Sequence, residues 1–168
     1  MKVALRLFAS AQIALAAVVL SGCATAGGGV SQGIQQARVN TAAQIAAEAP
    51  GDYWIGRRYF KPVYKFWGYV RRPGQPWSTA KLVMLNEKQK LAPDRAQNAF
   101  GIDNNYEYKL YGDFSGETVY EPASNGFYPE FVLKNYELIS TNPPPIFKSQ
   151  YNSRSQAAAG RLTIERPE

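Results

Sequence analysis

Hydrophobic and polar positions follow three different rhythms along this 168-residue chain. Residues Leu7 to Leu20 form an apolar run of 14, broken only by Ser10 and Gln12. From Ser31 to Ala49 the chain is rich in Ala and Gln, and Ile34, Ala37, Thr41 and Ile45 recur at helical spacing as a narrow stripe. Ser31 is placed to cap this helix. Pro50-Gly51 stops it, because proline cannot continue a helix and disfavours helix at the residue before it. No long heptad pattern supports a coiled coil. One helix is expected over 31–50, packed on the following domain or used for self-association, with a frayed linker as the alternative.

Between Tyr53 and Ser140 the rhythm shortens. Tyr64–Arg71 and Lys81–Glu87 read as strands, the second with the continuous apolar centre of a buried one. Pro73-Gly74-Gln75-Pro76 breaks the chain between them. Tyr106 to Phe114 alternates with period two: Tyr106, Tyr108, Leu110, Gly112 and Phe114 share one face. Ser115-Gly116 reads as a turn and Thr118–Glu121 as the strand returning from it. Asn125-Gly126 is a stronger turn signal, since both residues tolerate positive φ. Phe131–Leu133 and Tyr136–Ile139 supply the last extended pieces. Gln89 to Asn105 connects Lys81–Glu87 to Tyr106–Phe114 and has room for a short helix over Asp94–Phe100. Three strands, a connection with a short helix, then two or three strands predict a mainly β fold. The expected domain, 53–140, is a small antiparallel barrel of five to six strands preceded by one helix, OB-like or SH3-like, with the order favouring OB.

After Ser140, Asn142-Pro143-Pro144-Pro145 favours an extended polyproline path, and Gln150–Gly160 has little to bury. Residues 141–168 are expected to be a Pro-rich, largely disordered tail, with local docking around Leu162–Ile164. At the other end, Ala24–Gly29 reads as a flexible tether. Its glycines lack the following Lys-Ser/Thr and the preceding strand of a phosphate loop.

The leading apolar run follows Lys2 and Arg6 and ends at Leu20-Ser21-Gly22-Cys23, which holds the only cysteine. Positive residues, an apolar core and small residues at its end form the layout of a secretory signal. Fourteen helical residues span only about 21 Å, short of a hydrocarbon core of roughly 30 Å. Leu20, Ser21, Gly22 and Cys23 resemble the lipobox of bacterial lipoproteins. The resemblance implies cleavage after residue 22 and a diacylglyceryl thioether with an acylated amino group on Cys23. Residues 23–30 would then be the lipidated cysteine and its tether, and the covalent lipid would replace any cofactor. Ala24, rather than Asp, after the cysteine implies sorting to the outer membrane. The location so implied is the bacterial cell envelope, at the periplasmic face.

Without residues 1–22 the chain carries 17 basic and 13 acidic side chains, a formal +4. The charge is unevenly spread. Residues 53–86 hold Arg57, Arg58, Lys61, Lys65, Arg71, Arg72 and Lys81 and no acid, whereas 87–137 hold nine acids against five bases. The basic half is interleaved with aromatics, Trp67 among them. Arg57, Arg58, Lys61, Lys65, Trp67, Arg71 and Arg72 are therefore the candidate binding residues. Adjacent strand residues point to opposite faces, so one arginine of each pair is expected to be exposed. Basic residues with stacking rings suit single-stranded nucleic acid, but export argues against that partner. An anionic lipid headgroup, cell-wall glycan or another envelope protein fits the compartment. The competing reading has the aromatics in the core and the two charge sets neutralising one another across strands.

Catalytic chemistry has little to stand on. The chain has no histidine, which removes the commonest general base and most zinc sites. Ser78-Thr79-Ala80-Lys81 matches the S-x-x-K of penicillin-binding proteins but lacks the accompanying motifs. The acids from Glu87 to Glu137 could include a carboxylate pair that hydrolyses glycan, yet no spacing demands it. Asp103-Asn104-Asn105 lacks the loop pattern of an EF-hand. The expectation is a non-enzymatic outer-membrane lipoprotein whose barrel binds, or is a structural component of, the envelope. A glycan hydrolase and an assembly or pilot factor for an outer-membrane complex are the alternatives.

Overall fold

The computed structural model describes residues 28–59, 67–151 and 164–168. Strand β1 is Trp54–Arg58, β2 is Trp67–Arg71, β3 is Lys81–Asn86, β4 is Glu107–Glu121 and β5 is Gly126–Ser140. They close a barrel in the order β1-β2-β3-β5-β4, with β4 returning to β1. All neighbours are antiparallel except β3 and β5, which run parallel through Met84↔Glu130, Leu85↔Phe131 and Asn86↔Val132. This order, with the short helix α2 (Pro93–Ala96) between β3 and β4, is the OB-type arrangement of the two that the sequence left open. The mainly β barrel preceded by a helix is as expected, with five strands.

The period-two pattern decides what fills it. Val70, Val83, Leu85, Tyr108, Leu110, Phe131 and Leu133 share one face of their strands and form the barrel interior. At Gly56 of β1 even a methyl group would strike the Leu110 side chain, so glycine lets β1 approach the packed interior. A second core lies on the outer face. Ile55 and Tyr69 point outward from β1 and β2 and are covered by Trp77, Ile146 and Phe147. Tyr59 and Tyr69 meet the Phe147 ring edge-on at 5.3 and 5.5 Å.

Helix α1 spans Gly28–Ala46, so Ser31 lies inside it rather than at its start, and it ends before Ala49. Its half-buried positions include the predicted stripe of Ile34, Ala37, Thr41 and Ile45, and Ile45 packs against the outer core. The expected turn at Ser115-Gly116 is instead an irregularity inside a single strand. The register shifts between Phe114 and Thr118, and Gly116 takes φ 87°, which absorbs the extra residues without reversing the chain. The reversal comes at Pro122–Asn125, with Asn125 at φ 51°, as Asn125-Gly126 predicted. The expected helix over 94–100 is a single turn, 93–96.

The domain also extends past 140. Pro143, Ile146 and Phe147 are buried, and α3 (Lys148–Tyr151) follows. The Tyr69 hydroxyl donates to the Glu165 carbonyl at 2.5 Å, and the Glu168 amide donates to the Ile146 carbonyl at 2.8 Å. The described parts of 141–168 are therefore packed structure, because the outer face of β1 and β2 is apolar and the tail covers it. The expected signal segment and lipobox, most of the expected tether, and Gln150–Gly160 beyond Tyr151 lie outside the described residues.

Candidate functional site

Strand β1 ends on two arginines that leave the sheet on opposite sides. Both are buried: Arg57 is 1% exposed and Arg58 4%. The expectation of one exposed arginine in this pair is thus corrected. Alternation does send them opposite ways, but one way leads into the end of the barrel and the other beneath the tail.

Arg58 points into the barrel end closed by the connection 87–105. Its Nη1 donates to Asp94 Oδ1 at 2.5 Å and to Asp103 Oδ2 at 2.9 Å, and its Nη2 lies 3.8 Å from Glu87 Oε1. Glu87 Oε2 also lies 3.3 Å from Arg95 Nε and accepts from the Ala92 amide at 3.1 Å. The Gly101 amide donates to Asp94 Oδ2 at 3.1 Å. Burial raises the Glu87 and Asp103 carboxyls above their ordinary range, with Arg58 acting against the shift. Asp94 goes the other way: burial works against its charge, but the bond and charge of Arg58 and the Gly101 amide outweigh it and hold it low. Asp94 thus lies in the first turn of α2 with its side chain buried, and Asp103 is buried on the connection that follows. Both form the anionic lining around one guanidinium.

On the outer face, Arg57 Nε and Nη2 donate to Glu107 Oε2 at 2.9 and 2.8 Å, and Nη1 donates to the Pro144 carbonyl at 2.6 Å. Arg71, 2% exposed, makes a two-pronged pair with Glu48 at 2.6 and 2.6 Å. Both guanidinium groups lie over the Trp77 ring, Arg57 Cζ at 5.1 Å and Arg71 Cζ at 4.5 Å from its centroid. The Tyr59 hydroxyl donates to Asn105 Oδ1 at 2.5 Å, and burial pushes it up to about 12. Arg72 is exposed, as expected for one member of its pair, and its Cζ sits 3.8 Å over the Trp54 ring beside Asp52.

The candidate binding residues thus do not form one patch. Arg57, Arg58 and Arg71 are occupied by carboxylates, Arg72 is at the surface, and Lys61 and Lys65 lie outside the described residues. Trp67 is placed in β2 by its backbone. The charge asymmetry between 53–86 and 87–137 is met within the fold, Arg57 by Glu107 and Arg58 by Glu87, Asp94 and Asp103. Glu48 and Trp77 were the partners that the sequence did not reveal. Each becomes adjacent to an arginine only when α1 and the 73–80 connection fold over the outer face.

Cavities among the described residues include the following three. One of about 440 Å³ lies between α1 and the outer core, lined by Thr41, Ile45, Trp77 and Ile146. A second, about 630 Å³, is lined by Glu48, Glu107 and Pro143–Pro145. A third, about 340 Å³, lies among Tyr69, Leu82, Tyr128 and Arg166. The two carboxylates that share the second cavity are the partners of Arg71 and Arg57. Ser78 lies in a short 3-10 turn, whereas the Lys81 amine sits 5.0 Å over the Phe114 ring. Among the described residues no group of three or more acidic or cysteine side chains is arranged to hold a metal ion.

Fold and site together define an OB-type barrel whose outer β1–β2 face is closed by its own chain. No protein-family model, no curated protein and no solved structure matches this chain.

Proposed function

We propose that this chain is a non-enzymatic lipoprotein of the bacterial cell envelope, held in the outer membrane at its periplasmic face by lipid on Cys23. Its barrel serves as a binding module or structural component for envelope constituents. The observation that carries the non-enzymatic reading is the engagement of the buried charged groups. Three buried carboxylates converge on Arg58, the two at the second cavity are each paired to a buried arginine, and Glu168 at the first is paired to Arg38. A glycosidase needs one carboxyl free to deliver a proton and another free to attack or to activate water. OB barrels take oligonucleotides and oligosaccharides across strands 2 and 3. Here Tyr69 of β2 lies under Phe147, and Leu82 of β3 packs in the same outer core. That leaves surfaces away from this face for a partner and argues against nucleic acid.

The anchor is tested by Cys23→Ser. Wild-type chain should take up labelled palmitate and fractionate with outer membrane, and the variant should accumulate as unlabelled precursor. A variant that still incorporates palmitate, or matures to the same mass, overturns the reading. Incubation with purified cell wall should release no soluble glycan. Release that survives purification and is lost in Glu107→Gln would restore the hydrolase.

A further inference from the structure

The connection 87–105 separates charge across its own thickness. Its three acids, Glu87, Asp94 and Asp103, turn inward, with side chains buried around Arg58. Among its exposed residues are Lys88 and Lys90, with Leu91, Phe100 and Ile102 at 44%, 60% and 54% exposure, and the Lys90 amine sits 5.3 Å over the Tyr136 ring. The other exposed residues of the segment are neutral: Gln89, Ala96, Gln97, Asn98 and Asn104. No exposed residue between 88 and 105 is acidic. On the adjoining strand, Glu130 accepts from the Asn86 amide at 2.8 Å and Glu137 accepts from Tyr111.

We propose that this end of the barrel docks on an anionic phospholipid surface, with Leu91, Phe100 and Ile102 entering the headgroup layer and Lys88 and Lys90 meeting the phosphates. The inference deepens the envelope-module reading by naming a second, non-covalent membrane contact, and it rests on that reading for its compartment. Large apolar side chains flanked by lysines form the composition of an interfacial membrane contact, in which buried apolar area and attraction to anionic lipid add. Lysine stems can lie along apolar surface while their charge stays at the phosphates. A fluid surface also asks for no concavity. The lipid proposed on Cys23 would retain the chain, and a protein surface of this kind would orient the barrel against the membrane. The inward acids serve the same end. Were they to face outward, they would cancel the lysines. Arg58 holds them in and leaves the cap with a single sign of charge.

The test uses the chain from residue 24 onward, which keeps every described element and carries no lipid. Co-sedimentation is measured with vesicles of phosphatidylglycerol mixed with phosphatidylcholine, and with phosphatidylcholine alone, across a salt series. Capture is expected only on the anionic vesicles and should fall with salt. Lys88→Gln and Lys90→Gln should each weaken it about fivefold. Leu91→Ser, Phe100→Ser and Ile102→Ser combined should remove it. Lys148→Glu on α3 should leave it unchanged. Circular dichroism and urea midpoints equal to wild type keep loss of fold from imitating loss of binding. No capture, equal capture on neutral vesicles, or capture that the cap variants do not alter overturns the proposal. So does concentration-dependent dimerisation lost in the same variants, since the cap would then be a contact between copies of the chain. Failure here with palmitate still on Cys23 leaves the lipoprotein reading standing, and the reverse outcome leaves the cap.

Discussion

Arg57 and Arg58 are consecutive in β1, yet their guanidinium groups are buried in two different cores, one under the tail against Trp77 and one inside the barrel end against Asp94. A strand that sends both of its faces into protein can carry a cation on each only if each meets an anion there. The nearby carboxylates, Glu107 for one and Asp94, Asp103 and Glu87 for the other, lie at least 29 residues away in sequence. The two pairings therefore join β1 to the start of β4 and to the cap.

Removing Arg58 should be costly. Arg58→Met leaves three buried carboxylates around an apolar side chain, and breaking a buried pair in this way costs about 3–5 kcal/mol. Arg72→Met, at an exposed pair, should cost no more than about 1 kcal/mol. Urea unfolding midpoints of the two variants should differ accordingly. Equal midpoints would show that the Arg58 cluster contributes nothing.

The same cluster sets a pH dependence. Burial raises Glu87 above its ordinary 4.5 and Asp103 above its ordinary 3.8. Each therefore holds its proton more tightly folded than unfolded. Between the ordinary and the raised value the folded chain carries more protons, so stability falls as pH rises. Asp94 is lowered, so its contribution is present above 3.8 and is lost only as pH falls through the lowered value. With no histidine in the chain, no imidazole titration overlaps the fall above 4.5. Urea midpoints should decline over that interval in wild type and stay level in the double variant Glu87→Gln, Asp103→Asn. A decline that persists in the double variant would place its origin elsewhere.

The tail should be needed for folding. Phe147 fills the outer core between Tyr59 and Tyr69, and truncating a buried phenylalanine costs about 3–5 kcal/mol. Phe147→Ala should lower the thermal midpoint sharply, and deletion of 142–168 should lower it further. A deletion that unfolds at the wild-type temperature would return the domain boundary to residue 140.

Gly112 should tolerate no side chain. A Cβ there would run into the Val132 carbonyl oxygen and the Phe131 ring, next to the register shift between Tyr111 and Gly112. The obstacle is backbone of the paired strand, which cannot move aside without breaking the ladder. Gly112→Ala should cost about 1–3 kcal/mol, whereas Gly116→Ala meets open space and is penalised through its positive φ alone. Chemical denaturation of the two variants separates collision from backbone strain.

The sequence by itself determined the helix stripe, the strands β2 and β3, the alternation of Tyr108 and Leu110 into the interior, and the turn at Asn125, but not strand β1, whose residues are buried on both faces and show no alternation. These are local properties, set by side-chain period and backbone tolerance within a few residues. It also carried Leu20-Ser21-Gly22-Cys23, whose proposed reading as a lipobox needs no fold. Only the tertiary structure decided the fate of the charges. A strand pattern says that Arg57 and Arg58 point apart, but not whether either side meets water. Tyr69 and Phe147, or Arg71 and Glu48, are brought together by chain closure over many residues, and nothing in their neighbourhoods announces it. The acids of 87–105 could be counted in the sequence but not aimed, because sequence shows composition and not direction. Direction came from Arg58, whose buried guanidinium could be kept charged only by drawing them inward, and that left the lysines and apolar side chains of the cap outside.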